Sequence, residues 1–452
     1  PFMSYERTYI HPNEFAHILG YVSTPNQKDL NQIDASYLDV PNLKVGKIGL
    51  EKNSNKSLLG IPGSAIYEVN AFGKRVKNIE KIDGTNGSRI KTSIDKDIQI
   101  YAYQQLKEKS GSVVVMNMYG GVLCCVSSPS YDPNKFTYGI SYKDYDVLKN
   151  NEKKPLVNKA MTTTYPPAST FKMIVALSAL ENKIITKNFR HTCKGKVDLY
   201  EQRYHCWKDK GHGRVNLKSA IKESCDIYFY EVARLLGIDR LQKTAFKFGL
   251  GDYVFQDFFE EAKGLVPSTS WKREALGKSW YLGETMISGI GQGYIKTTNV
   301  QLCKMIAQFA NGGYQINASF LDSGDLALGK KIIEDDEHIE LILKSLFEAT
   351  NHPGGTSYRS RIAGTMKLAG KTGTAQVRKI SESQREQDLK NKDLPWKFRD
   401  HSLFTGYGPA DNPKYAISVV IEHGGSGSAV AAPIARNVMR KIFEKERKLN
   451  NV

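Results

Sequence analysis

Residues 165–183 read YPPASTFKMIVALSALENK. Two prolines suit a helix entrance, where a fixed φ and a missing N–H cost nothing. The run behind them is apolar on every side, which marks a helix buried all round. Lys172 stands at its threshold, and an ammonium stripped of water there is tolerated only with partners. Ser169 lies three residues earlier, on the same helical face. A chain with this segment must bring distant groups to a buried cation beside a hydroxyl, and that demand narrows the fold more than any other stretch.

The S-x-x-K spacing alone is cheap. It recurs as Ser88–Lys91, Ser93–Lys96 and Ser219–Lys222, besides Ser169–Lys172. Only Ser169–Lys172 opens a buried helix and has the right company downstream: ESCD supplies Ser224 and Asp226, and LAGKTGTAQV supplies Lys371, Thr372, Gly373 and Thr374. Three such motifs in this order form the set of class A β-lactamases and penicillin-binding proteins. Its chemistry is coherent. Burial and a second cation, Lys371, would lower the Lys172 pKa, so that a neutral amine can activate Ser169 as nucleophile. The helix N-terminus favours an anionic oxygen, and Ser224 is placed to relay the proton to the leaving amine. A strand edge carrying Lys371-Thr372-Gly373-Thr374 can pair with an extended peptide. Gly373 would leave room for it, while the hydroxyls and Lys371 hold a terminal carboxylate. The N–H groups of Ser169 and Thr374 would form an oxyanion hole.

The 452 residues suit two domains. Residues 1–95 hold short strand-like pieces such as SAIYEVNA and are expected to form a small β-rich domain. From residue 96 to 452 the pattern is α+β: a helix in DIQIYAYQQLKEK, a hairpin turning at Gly120–Gly121, a mostly helical stretch over about 155–350, three more strands, and a last helix near Pro433. Strands from both ends of this domain flank the helical insertion, which implies one mostly antiparallel sheet with helices on its faces. GIGQGY, residues 289–294, fits neither the spacing nor the context of a nucleotide loop. The net charge of +17 favours acidic partners, but no zinc-finger spacing, basic helix or RNA-binding signature points to nucleic acid. No run approaches the roughly 18 apolar residues that span a bilayer. A start at Pro1 reads as a trimmed chain, so this says little about an upstream anchor.

The sequence resembles the class B penicillin-binding proteins, and among them the elongation-type penicillin-binding protein 2 subfamily. HILGYVS, GKIGLEK, SSPSYDPNKF, LVNKAMTTTYPPASTFK, WKDKGHGRVNLKSAIKESCDIYFYEVA, GIGQGY, LAGKTGTAQV and GYGPADNPKYAISVVIEHG carry that resemblance. It implies the penicillin-binding/serine β-lactamase-like fold with an N-terminal pedestal for dimerisation or partner docking. It implies a peptidoglycan DD-transpeptidase that acts in cell elongation, in which Ser169 is acylated by one stem peptide and passes the acyl group to an amine of another. β-Lactams would be covalent inhibitors. The rod-shape scaffold MreC and the glycosyltransferase RodA would be partners, and the domain would be periplasmic behind an inner-membrane anchor. A division-specific transpeptidase and a DD-carboxypeptidase are the alternatives. Asp226 departs from the Asn common in the wider superfamily.

Cys193, Cys206, His212 and Cys225 fall within 33 residues. Three thiolates and an imidazole are the composition of closed, structural zinc sites, and one zinc per chain is the expectation. Cys225 lies between Ser224 and Asp226, so a metal there would fix the backbone that aims Ser224. Buried free thiols, or a Cys193–Cys206 disulfide in an oxidising compartment, are the other readings.

Overall fold

The computed structural model describes residues 6–450, apart from 201, 256, 257, 259, 323, 325 and 379–390. The chain divides into two compact units. The first comprises residues 1–92, 130–156 and 257–260; the second comprises 93–129, 157–256 and 261–452.

In the first unit short helices stand beside short strands. The helix Pro12–Leu19 begins with proline in its first turn and buries Ala16 and Ile18. Val22–Ser23 pairs with Val45–Gly46, and Ser64–Val69 forms an antiparallel hairpin with Arg75–Ile82. The stretch 130–156, expected from the sequence in the second domain, packs here for a visible reason. Its few large apolar rings need cover: Phe136 lies 4.7 Å from the Tyr21 ring and Tyr131 stands edge-on to His17 at 5.2 Å. Asn134 then clasps Tyr9, accepting its N–H at 2.9 Å and donating to its carbonyl at 3.1 Å.

The second unit is built on an antiparallel five-stranded sheet. Its order is Ala369–Ala375, His401–Gly408, Tyr415–Ile421, Gly111–Asn117, Val122–Ser128. The apolar run SVVVM shows no alternation because both faces of its strand are covered. On one face Val113 and Val115 join Ile98, Ala102 and Leu106 of the helix Lys96–Leu106, with Ala435, Val438 and Met439 of the helix Ala431–Asn450. On the other lies the helix Asn299–Ala310, where Cys303 Sγ donates to Val114 O at 3.5 Å. Each fully buried Val, Leu or Ile contributes about 1.5–3 kcal/mol, so the sheet is a rigid floor. Among the described residues the strand Ala369–Ala375 lies at the end of the sheet with one strand neighbour, and its Gly373 lies beside Pro167 and Thr170 of the active-site segment.

Candidate active site

The segment around Ser169 is not helix from the start. Ala168–Phe171 forms one 3-10 turn, and the α-helix runs Lys172–Glu181. Ala168 has φ +50°, a left-handed conformation that costs a non-glycine residue energy and persists only when its surroundings enforce it. The enforcing bond is from Ala168 N–H to Gly291 O at 2.9 Å. Gly373 faces this turn across the cleft floor: a Cβ on it would lie 3.3 Å from Pro167 O and from Thr170 Cγ2. Gly373 thus allows the Ser169 turn to pack against the strand, a different task from making room for a peptide.

Lys172 is wholly buried, and an ammonium has three N–H donors. They meet three acceptors: Ser224 O at 2.9 Å, Ser224 Oγ at 3.2 Å and Asp226 Oδ1 at 2.7 Å. The Phe229 ring lies 5.4 Å away. The cation demanded at the helix threshold is therefore received by the Ser224–Asp226 turn. Ser224 itself has φ +58°, so both hydroxyl-bearing corners of the site are made with left-handed backbone. Two of the remaining S-x-x-K serines serve structure: Ser219 caps a helix start with Asn216, and Ser93 Oγ donates to Val122 O.

Trp207 is a functional candidate with no motif of its own to mark it in the sequence. Its backbone N–H donates to Asp226 Oδ2 at 3.0 Å, and its indole N–H reaches Ser224 O at 3.1 Å. This also explains the aspartate. Asp226 faces two donors, Lys172 and Trp207, and needs an acceptor for each; an asparagine has one oxygen only.

Lys371 and Thr372 stand on the strand Ala369–Ala375, with Lys371 fully buried. Burial first, then the Lys172 cation, pushes the Lys371 ammonium well below the usual lysine range, while Asp226 opposes the shift. Thr372 Oγ1 donates to Thr356 Oγ1 at 3.0 Å, and Thr374 Oγ1 accepts the Gly427 N–H at 3.2 Å. Gln292 of GIGQGY reaches the same strand, its Nε2 donating to Thr374 O at 3.3 Å. In the sequence its signals are the paired glycines and its place among the blocks that carry the family resemblance.

Cys193, Cys206, His212 and Cys225 converge, with their ligand atoms all within 4.8 Å of one another. His212 Nδ1 lies 3.6 Å from Cys193 Sγ and 3.5 Å from Cys206 Sγ. In a tetrahedron with ordinary Zn–S and Zn–N bonds the S···N edge is about 3.6 Å, so the donor set fits zinc in kind and spacing. The three thiols are all unbridged. The Cys225 thiol pushes the Cys206 thiol down, and Cys206 in turn pushes Cys225 up.

A sheet flanked by helices, with a serine turn, a buried lysine and a K-T-G edge strand, defines a penicillin-binding transpeptidase domain. Residues 111–440 match the penicillin-binding protein transpeptidase domain, and residues 3–92 match the penicillin-binding protein dimerisation domain. The chain belongs to the class B penicillin-binding proteins. It is 35% identical over 458 residues to the peptidoglycan D,D-transpeptidase MrdA of Salmonella typhimurium, spanning 98% of this chain and 73% of that one. Against MrdA of Escherichia coli K12 the identity is 35% over 457 residues, spanning 97% and 70%. Among solved structures, Helicobacter pylori PBP2 in complex with MreC superposes with TM-score 0.88 at 32% identity, covering 97% of this chain and 79% of that one. Pseudomonas aeruginosa PBP2 in complex with WCK 5153 gives 0.83 at 35%, covering 97% and 92%.

Proposed function

We propose that this chain is an elongation-type peptidoglycan D,D-transpeptidase in which Ser169 carries the acyl group. One observation carries the assignment: Lys172, behind Ser169, is held by Ser224 and Asp226 through bonds of 3.2 Å or less. Two of the three motifs are thereby one hydrogen-bonded unit, and the third supplies the strand beside the Ser169 turn.

In the reaction the Ser169 Oγ–H bond breaks as Oγ bonds to the carbonyl carbon before a terminal D-alanine. The C–N bond to that D-alanine breaks, and its nitrogen receives a proton through Lys172 and Ser224, the hydroxyl 3.2 Å from Nζ. An amine of a second stem peptide then attacks the ester, forming the cross-link and returning a proton to Ser169. N–H groups of Ser169 and Thr374 hold the oxyanion. Lys371, Thr372 and Thr374 receive the donor's terminal carboxylate. A carboxylate beside Lys371 restores the charged form that burial disfavours.

Cys193, Cys206, His212 and Cys225 would hold a structural zinc. When bound it supplies no chemistry to the substrate but fixes the Cys225 backbone between Ser224 and Asp226. The domain works in the periplasm behind an anchor outside this sequence; among the described residues no helix is long and apolar enough to cross a membrane. The hairpin Ser64–Ile82 presents Phe72, Val76, Ile79 and Ile82 to solvent, a surface that supports docking of MreC, the partner of the Helicobacter relative. RodA, as polymerising partner, completes the assembly.

The test is labelling with a fluorescent penicillin, peptide mapping of the adduct, and incubation with a stem-peptide donor with and without an amine acceptor. A Ser169 adduct and an acceptor-dependent amide product are expected. Hydrolysis alone, indifferent to the amine, would turn the assignment to a DD-carboxypeptidase.

A further inference from the structure

Gly370, Thr372 and Thr374 occupy alternate positions of the strand Ala369–Ala375, which among the described residues has His401–Gly408 as its one strand neighbour. Their carbonyls meet side chains rather than a strand. Thr350 Oγ1 donates to Gly370 O at 3.4 Å, Lys371 Nζ to Thr372 O at 3.1 Å, and Gln292 Nε2 to Thr374 O at 3.3 Å. Bare carbonyls on a sheet edge leave hydrogen-bonding capacity unmet and invite stray strands, so capping them is physically useful. The three caps are not equal. Thr350 and Lys371 are fully buried, whereas the Gln292–Thr374 bond is exposed.

The backbone that carries Gln292 is fixed. Gly291, with φ +68°, accepts the Ala168 N–H at 2.9 Å, and a Cβ on it would come within 2.2 Å of Ala168 O. Gly293 follows with φ +75°. One dipeptide therefore touches both walls of the cleft: Gly291 is fastened to the Ser169 turn, and the Gln292 side chain reaches to the edge strand. Only the side chain is free to leave.

We propose that Gln292 is a placeholder for the donor peptide: its amide occupies the Thr374 carbonyl in the free enzyme and yields it to the peptide's backbone N–H. This rests on the transpeptidase reading above. A strand that adds to an open sheet edge gains its main-chain bonds there. At Thr374 it exchanges one amide donor for another, so the peptide gains only the difference between two like hydrogen bonds. Gln292 is thus a positioning and specificity residue that keeps the edge satisfied between turnovers and holds down affinity for extended ligands.

The test compares benzylpenicillin, which carries a side-chain amide N–H, with the same bicyclic nucleus lacking the acylamido group, on the full chain. For each, the pre-acylation dissociation constant and the acylation rate are measured in wild type, Gln292→Ala and Gln292→Met; the methionine keeps the length and removes the donor. The preference for the amide-bearing ligand is expected to rise about three- to tenfold in both variants, the worth of one neutral hydrogen bond, and to appear in the dissociation constant. A general loosening of the loop would weaken both ligands alike. An unchanged or reduced preference in variants still acylated at Ser169 overturns the placeholder. A wild-type protein not acylated at Ser169 overturns the transpeptidase reading itself, and the two failures are told apart by the wild-type control.

Discussion

The backbone N–H of Trp207 donates to Asp226 Oδ2 at 3.0 Å, and through that bond the Cys206 loop fixes the partner of Lys172. Replacing Asp226 by Asn would set an NH2 group against either the Trp207 N–H or the Lys172 ammonium. A buried polar group left unmatched costs about 1–3 kcal/mol, and more when a charge is involved. Asp226→Asn is therefore expected to slow penicillin acylation by ten- to a hundredfold, since about 1.4 kcal/mol corresponds to tenfold. Stopped-flow acylation at wild-type rate in the folded variant would show that the second acceptor is dispensable.

Ser169→Ala should abolish the single penicillin adduct seen by intact-protein mass spectrometry. Lys172→Ala should keep the hydroxyl and lose the amine that relays its proton, a change of about 10²–10⁴-fold in rate. It also leaves Ser224 O, Ser224 Oγ and Asp226 Oδ1 without the cation that joins them. A melting temperature measured beside the rate separates the two effects. An adduct that persists in Ser169→Ala, mapping to Ser88, Ser93 or Ser219, would contradict the choice among the four pairs.

Much of this site was legible because its chemistry forces local spacing. Ser169 and Lys172 must share one helical turn, and the edge strand needs its lysine, threonines and glycine in fixed alternation. The sheet was legible for a similar reason: SVVVM and YAISVVI are too apolar to be anything but covered strands. What could not be read depends on distant partners. Nothing in Ala168 or Ser224 announces a positive φ, since that conformation is imposed by Gly291 and by the Ser224–Asp226 turn. The three-acceptor nest of Lys172 joins residues more than 50 positions apart. GIGQGY lacks a nucleotide loop's context, yet its paired glycines mark a close backbone approach, the one between Gly291 and Ala168.

His401 gives a pH dependence whose sign can be worked out. Burial, and then the neighbouring His423 and Lys296, lower its pKa from 6.5 to about 3. Its Nδ1 accepts the His423 N–H at 3.0 Å and its ring meets Tyr165 edge-on at 5.4 Å, so the folded chain requires that nitrogen unprotonated. The unfolded chain binds the proton below 6.5 and the folded chain does not until about 3. Stability is thus fully present above pH 6.5 and is lost as pH falls through that window, at roughly 1.4 kcal/mol per pH unit. His401→Asn keeps an acceptor and cannot titrate. Urea denaturation at pH 7 and pH 4.5 should show wild type losing roughly 2–3 kcal/mol more than the variant. Parallel losses in the two proteins would mean that His401 is not the group responsible.

Metal content tests the cluster beside Ser224. Protein purified without added metal is expected to hold about one zinc per chain if Cys193, Cys206, His212 and Cys225 close a four-coordinate site. Removing the ion would leave thiols competing for protons in a buried pocket and free the Cys206–Trp207 segment, whose bonds to Ser224 and Asp226 carry the coupling. Cys206→Ser should therefore lower the melting temperature and slow acylation together, whereas Cys303→Ser, in the sheet core, should affect stability without touching metal content. Chelation followed by zinc should restore both readouts in wild type and neither in Cys206→Ser. A metal-free protein with a Cys193–Cys206 disulfide and undiminished acylation would remove the ion from the account and leave Trp207 to hold the turn by its hydrogen bonds alone.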